Sequence, residues 1–228
     1  GQARFAWDGD VIQLAPNFPP EPHALHGVGW HRAWTATAQA ADSAMLRLVH
    51  TPDEDWPWPF EAVQRVVLSD DGLSVTFAVT NRAANAVPLA FGQHPYFDLA
   101  GARLRFAAKT VWLAGPDLLP TQAVPPVGTY DFDRDAPVAG RVIDNCYAGV
   151  AGPATIEWED RPLRLEIRTA PPMPAAVIYV PTKGDAFCFE PVPHINNALN
   201  LPGELPAMPV LAAGATVEAS LHFQVFVK

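Results

Sequence analysis

Two cysteines in 228 residues, Cys146 and Cys188, are too few for a disulfide framework, and no Cys/His spacing has the form of a zinc site. Both read as reduced, buried thiols, which suits a cytoplasmic protein. Positive charge is scarce too. Fifteen Lys and Arg against 24 Asp and Glu leave a net charge of −9, which excludes a nucleic-acid partner, because a phosphate backbone demands clustered cations. No apolar run approaches the roughly 18 residues of a membrane-spanning helix, so no membrane partner is expected. Helical 3.6-residue periodicity is missing, as is any repeat of fixed period. There is no Gly-x-Ser-x-Gly elbow, no Gly-x-x-x-x-Gly-Lys phosphate loop and no dinucleotide fingerprint. The sequence opens on Gly1 without a signal-peptide pattern, so either its start was processed or an opening segment lies outside it.

What is present is apolar and rich in turns. Hydrophobic residues make up 49% of the chain, enough for a sizeable core, and 25 prolines disfavour helices while suiting short strands joined by turns. Alternation of period two recurs: Leu73, Val75, Phe77 and Val79 alternate with Ser74, Thr76, Ala78 and Thr80, and Val217 to Val227 repeats the pattern with Glu218, Ser220, His222 and Gln224 outward. Further strands are expected at 4–7, 11–14, 34–39, 44–49, 62–68, 102–106, 110–113, 155–158, 163–168 and 175–180. The segment Pro116–Pro137, rich in proline and polar residues, reads as one long connection. The expectation is an all-β, antiparallel sandwich of large sheets in a single domain spanning residues 1–228.

Two ionisable residues stand at the ends of apolar runs. His94 follows Val87–Phe91 within Gly92-Gln93-His94-Pro95-Tyr96-Phe97, and Glu190 follows Phe187-Cys188-Phe189 and precedes Pro191. A proline directly after each removes a backbone donor and is expected to stop the ladder, leaving the side chain at a strand terminus. A carboxylate beside such apolar residues is unusual unless it is paired or used. An imidazole and a carboxylate together can donate and accept protons at once. His26, between Leu25 and Gly27, and Asp144, at the end of Val142-Ile143, are further candidates, although Asp144-Asn145 is also a common turn pair. Trp30, Trp34, Trp56 and Trp58 could supply flat faces for a sugar or could simply be core. His23, His26 and His31 lack a nearby carboxylate or cysteine, and no metal site is expected from them.

Taken in order, Leu25-His26-Gly27-x-Gly29-Trp30, Trp56-Pro57-Trp58-Pro59-Phe60-Glu61-Ala62, Gly92-Gln93-His94-Pro95-Tyr96-Phe97, Asp144-Asn145-Cys146-Tyr147, and Phe189-Glu190-Pro191 with Asn197-Ala198-Leu199-Asn200 resemble the aldose 1-epimerase (galactose mutarotase) family. The resemblance implies a galactose mutarotase-like β-supersandwich, a monosaccharide substrate, no cofactor and a monomer or homodimer. It implies Glu190 as general base on the anomeric hydroxyl, His94 as general acid on the ring oxygen, and His26 and Asp144 as sugar-binding groups. Family members usually carry further N-terminal strands and an Asn-Arg pair upstream of the position matching Gly1, and this sequence begins after both. Gln93 stands where many galactose-active members have Asn. The implied chemistry opens the sugar ring and recloses it on the other face, with His94 protonated while Glu190 is ionised, which predicts a bell-shaped pH profile. A hexose-6-phosphate 1-epimerase would need an arginine cluster for its phosphate, and a non-enzymatic sugar-binding module would use the same scaffold without catalysis. A glycosidase using Asp144 and Glu190 as its carboxylate pair is a further alternative.

Overall fold

The computed structural model describes residues 1–171 and 173–228. Nearly all regular structure is antiparallel strand, joined by turns and three short 3-10 segments among the described residues. Strands form where the alternation predicts them. Arg4–Trp7 and Ala175–Val180 match the expected bounds, and Gly72–Asn81, Phe60–Ser69 and Thr216–Val227 extend theirs by one or two residues.

Two large sheets carry the fold. The larger has nine strands, running in space from Ala136–Pro137 through Ala102–Ala107, Ala151–Trp158, Leu163–Ala170, Thr216–Val227, Gly72–Asn81, Phe60–Ser69 and Ser43–His50 to Thr35–Gln39. The smaller has six: Pro120–Val124, Thr110–Ala114, Ile143–Ala148, Ala175–Val180, Ala186–Val192 and Tyr96–Asp98. Cross-strand partners in the large sheet match apolar with apolar, as in Ala62 with Val79, Phe77 with Ala219, and Ile156 with Leu165 and Leu104. Its other face pairs hydroxyls and charges. Thr76 meets Ser220 and Thr80 meets Thr216, each at 2.8 Å, and Arg47 and Arg82 both bind Glu61.

Between the sheets lies the main core, where Leu104, Phe106, Ile156 and Ile167 meet Tyr147, Ile178, Phe187 and Phe189. A second cluster around Leu48, Phe60, Phe77, Val79 and Leu89 fills the far half of the large sheet and is capped by Trp34, Trp56 and Trp58. Period two dictates the consequence for the small sheet: one face of each of its strands is committed to the core, and the alternate residues face the other way.

Two expectations are corrected. Pro116–Pro137 is not one connection: it contains the strand Pro120–Val124, paired with Thr110–Ala114, and the short strand Ala136–Pro137 on the large sheet. Asp144 sits inside the strand Ile143–Ala148 rather than in a turn, because Ile143 and Tyr147 enter the core and hold the segment extended.

Candidate active site

The site is built on the outward face of the small sheet. Across neighbouring strands one row reads Asp144, Tyr179, Cys188 and Tyr96. The row two residues further along reads Cys146, Val177 and Glu190. Continuing the register of Cys188 with Tyr96 by two residues sets His94 opposite Glu190. His94 sits at a strand terminus, but Pro95 comes before the strand Tyr96–Asp98 and ends no ladder, and the run Val87–Phe91 is strand only at Val87–Pro88. Glu190, by contrast, is inside the strand Ala186–Val192, and Pro191 does not end it. Beyond Cys188 that strand has a neighbour on one side only, so a missing donor on the free edge breaks no ladder bond.

His94 Nε2 lies 3.3 Å from Glu190 Oε1, with the Glu190 side chain 8% exposed and that of His94 32%. The contact lacks the direction of a hydrogen bond: Glu190 Oε1 and His94 Nδ1 are both buried atoms without a partner. Buried polar atoms are rarely left so, and an acid and a base in reach of each other yet unsatisfied are poised for a third molecule. Burial, reinforced by the charge of Asp144, raises the Glu190 carboxyl to about 8. Burial also lowers His94, with Asp144 opposing. Burial thus disfavours the charged form of each group, the carboxylate of Glu190 and the imidazolium of His94. At 3.3 Å the two groups titrate as a pair.

His26 joins this pair from a separate loop. Its ring is edge-on to that of His94 with centroids 5.2 Å apart, and burial followed by the charges of His94 and His31 lowers its pKa. The backbone at His26 and Gly27 is left-handed, with φ of 59° and 65°. Asn17 fixes the approach to that turn. Its side-chain amide donates to the Leu25 carbonyl and its oxygen accepts from the Leu25 N–H, both at 2.8 Å.

Asp144 faces the same side, two strands from Cys188, which is roughly 9–10 Å at ordinary strand spacing. Val177 and Tyr179 floor the interval between them. Asp144 is open to solvent. The protein around it pushes its carboxyl upward against the pull of His94.

All four residues singled out in the sequence thus meet on or beside one sheet face. The tryptophans do not. Trp56 and Trp58 pack with Phe5 and Trp7, and Trp34 lies against Phe77. Only Trp30 is exposed beside His26, with ring centroids 6.0 Å apart. The three neighbouring histidines also part company: His23 accepts from the Gln2 N–H and donates to the Asp117 carbonyl, while His31 stacks on Trp30. Sequence reasoning gave no role to Tyr96, which stacks on His94 at 4.8 Å, or to Tyr179, and it treated Cys188 as inert. The signal was available in the alternation, since Cys188 shares a face with Glu190 and Tyr179 with Val177.

The chain matches the aldose 1-epimerase family over residues 1–224 and belongs to it. The uncharacterised protein YphB of Escherichia coli strain K12 is 32% identical over 240 residues, covering 97% of this chain and 78% of that one. Human galactose mutarotase is 30% identical over 145 residues, 59% of this chain and 41% of the human protein. A solved Escherichia coli K12 protein, provisionally described as an aldose 1-epimerase, superposes with a TM-score of 0.90 at 29% identity, covering 99% of this chain and 79% of its own. A galactose mutarotase-like protein from Clostridium acetobutylicum gives 0.87 at 18% identity, covering 100% and 76%, a likeness of fold alone. Family and fold together support an epimerase or mutarotase role. No helix among the described residues is long and apolar enough to cross a membrane.

Proposed function

We propose that residues 1–228 act as one catalytic domain, an aldose 1-epimerase that interconverts the α and β anomers of a hexose such as glucose or galactose. The observation that carries this reading is the buried, mutually unsatisfied contact between His94 and Glu190. The anomeric hydroxyl and the ring oxygen are both bonded to the anomeric carbon, so neighbouring acid and base groups can serve the two at once. Glu190 takes the hydroxyl proton as His94 delivers one to the ring oxygen. The ring opens to an aldehyde, the carbonyl turns about its bond to the next carbon, and the groups exchange roles to close the other anomer. The two groups lie side by side, 3.3 Å apart. Sugar hydroxyls that donate to the Glu190 carboxylate favour its ionised form, and with it a proton on His94.

His26 and Asp144 hold the sugar's polar edges over Val177 and Tyr179, which supplies the fixed orientation a two-point proton transfer needs. Two free, buried thiols support a reducing, cytoplasmic setting.

Polarimetry on freshly dissolved α-glucose and α-galactose tests the proposal. The wild type accelerates the approach to equilibrium rotation, and Glu190→Gln and His94→Asn each lower that acceleration by about 10²-fold or more. Sugar binding with no acceleration by the wild type would leave only a binding module. Acceleration confined to a 6-phosphate would move the substrate to phosphosugars, and release of sugar from a glycoside would make the protein a glycosidase.

A further inference from the structure

Ring opening has no use for Cys188, yet its thiol is buried on the reactive face between Tyr179 and Tyr96. One donor atom each from His94, Cys188 and Glu190 lies within 4.8 Å of the others, and no other such trio of ligand-type side chains occurs among the described residues. A tetrahedral cation with bonds of about 2.0–2.3 Å holds its donors roughly 3.3–3.8 Å apart. The His94–Glu190 spacing of 3.3 Å already meets that. A second observation points the same way. The Glu190 side chain is more than nine-tenths buried and its Oε1 has no hydrogen-bond partner, while the partly exposed His94 leaves an approach from solvent.

We propose that His94, Cys188 and Glu190 form a binding site for a thiophilic divalent cation of the Zn²⁺ class, which occupies the reacting groups and shuts out the sugar. Sulfur with imidazole and carboxylate is a donor set for Zn²⁺ and its chemical neighbours, whereas Mg²⁺ and Ca²⁺ require oxygen throughout. Binding forms metal–sulfur, metal–nitrogen and metal–oxygen bonds. It releases the thiol proton, and any proton on the carboxyl, to solvent, with no change of oxidation state. The fourth position opens toward solvent and takes water. A cation here consumes both proton-transfer groups together, so it acts as an inhibitor and competes with sugar. Only this inhibitory consequence rests on the epimerase reading, because the binding itself does not.

The experiment uses the full chain, stripped with chelator and titrated with Zn²⁺ by calorimetry and with Co²⁺ by absorption. We expect one cation per chain and a thiolate-to-cobalt charge-transfer band in the near ultraviolet. Cys188→Ser removes the band and weakens Zn²⁺ binding by at least about tenfold, a ligand being worth no less than an outer-shell partner. Cys146→Ser, the other buried thiol, leaves both intact. In polarimetry Zn²⁺ raises KM without lowering kcat, and chelator reverses it. Absence of the charge-transfer band in the wild type, which needs no variant to fold, overturns the site, as does equal Zn²⁺ affinity in a folded Cys188→Ser protein. Zn²⁺ binding through Cys188 by a protein that never accelerates mutarotation would sink the epimerase reading and keep the cation site.

Discussion

Glu190 is placed against its own charge. Its carboxyl titrates from 4.5 in an open chain to about 8 in the fold, chiefly through burial and then through Asp144. The folded state therefore binds more protons than the unfolded one between those values, so this group's contribution to stability falls as pH rises from about 4.5 to about 8 and is flat beyond. Glu190→Gln removes that fall. We expect the variant to match the wild type in acid and to exceed it above pH 8 by on the order of a few kcal/mol, a rise of several degrees in melting temperature, even as mutarotation disappears. Thermal melts at acid and alkaline pH decide it, and a variant less stable than wild type at alkaline pH contradicts the account. The rate follows the same groups. With chelator present, the active pair holds one proton, so activity falls below the lowered His94 step and again above about 8. Because the charge of Asp144 helps to raise Glu190, Asp144→Asn moves the alkaline limb to lower pH, and an unmoved limb would remove Asp144 from the pair's surroundings. The sequence made these residues visible as candidates, since a carboxylate after Phe-Cys-Phe is hard to explain as surface. It could not reveal how far the Glu190 carboxyl is raised, which comes from burial at 6% exposure.

At the level of the element, the site depends on one short strand and one loop. Tyr96–Asp98 has only three residues, and its register against Ala186–Val192 decides whether His94 meets Glu190 or the apolar Phe189. The loop bearing His26 relies on the Asn17 side chain, whose two hydrogen bonds copy a strand pairing with Leu25. Asn17→Ala should cost about 1–2 kcal/mol and let His26 drift. We expect kcat/KM to drop by about tenfold or more, mostly through KM, and steady-state polarimetry beside denaturant melts would show it. Unchanged kinetics would mean that the turn at His26 holds itself. Most strands were legible because alternation is a local property of the sequence. Several were not, among them Pro120–Val124, Ile143–Ala148 and the short strands Tyr96–Asp98, Ala136–Pro137 and Val210–Leu211. Around Pro120–Val124 flanking prolines hide the pattern, and its pairing with Thr110–Ala114 supplies what the local sequence does not. Asp144-Asn145 has the composition of a turn, yet Asn145 is buried and donates to the Trp112 carbonyl at 2.8 Å, which binds the pair into the sheet.

Across the whole molecule the two sheets close on a shared interior, which supports residues 1–228 as one cooperative unit. Leu104 contributes to that interior from the large sheet and has no solvent exposure. Leu104→Ala should cost about 2–5 kcal/mol in one transition that includes the small sheet. Separate unfolding of the sheets in denaturant would contradict the single unit. The Trp-Pro-Trp run was read in sequence as either sugar wall or core, and the outcome turned on contacts far along the chain: Trp56 and Trp58 close a cluster with Phe5, which local composition cannot foresee. The small sheet presents Phe187 and Phe189 inward and Cys188 and Glu190 outward from a single strand. The reactive side chains are therefore mounted on the reverse of the hydrocarbon interior, like type set on a plate. Trimming or enlarging a ring inside would shift that plate and retune proton traffic without altering any atom a sugar touches, so the interior becomes a hidden dial for an engineer seeking new pH optima.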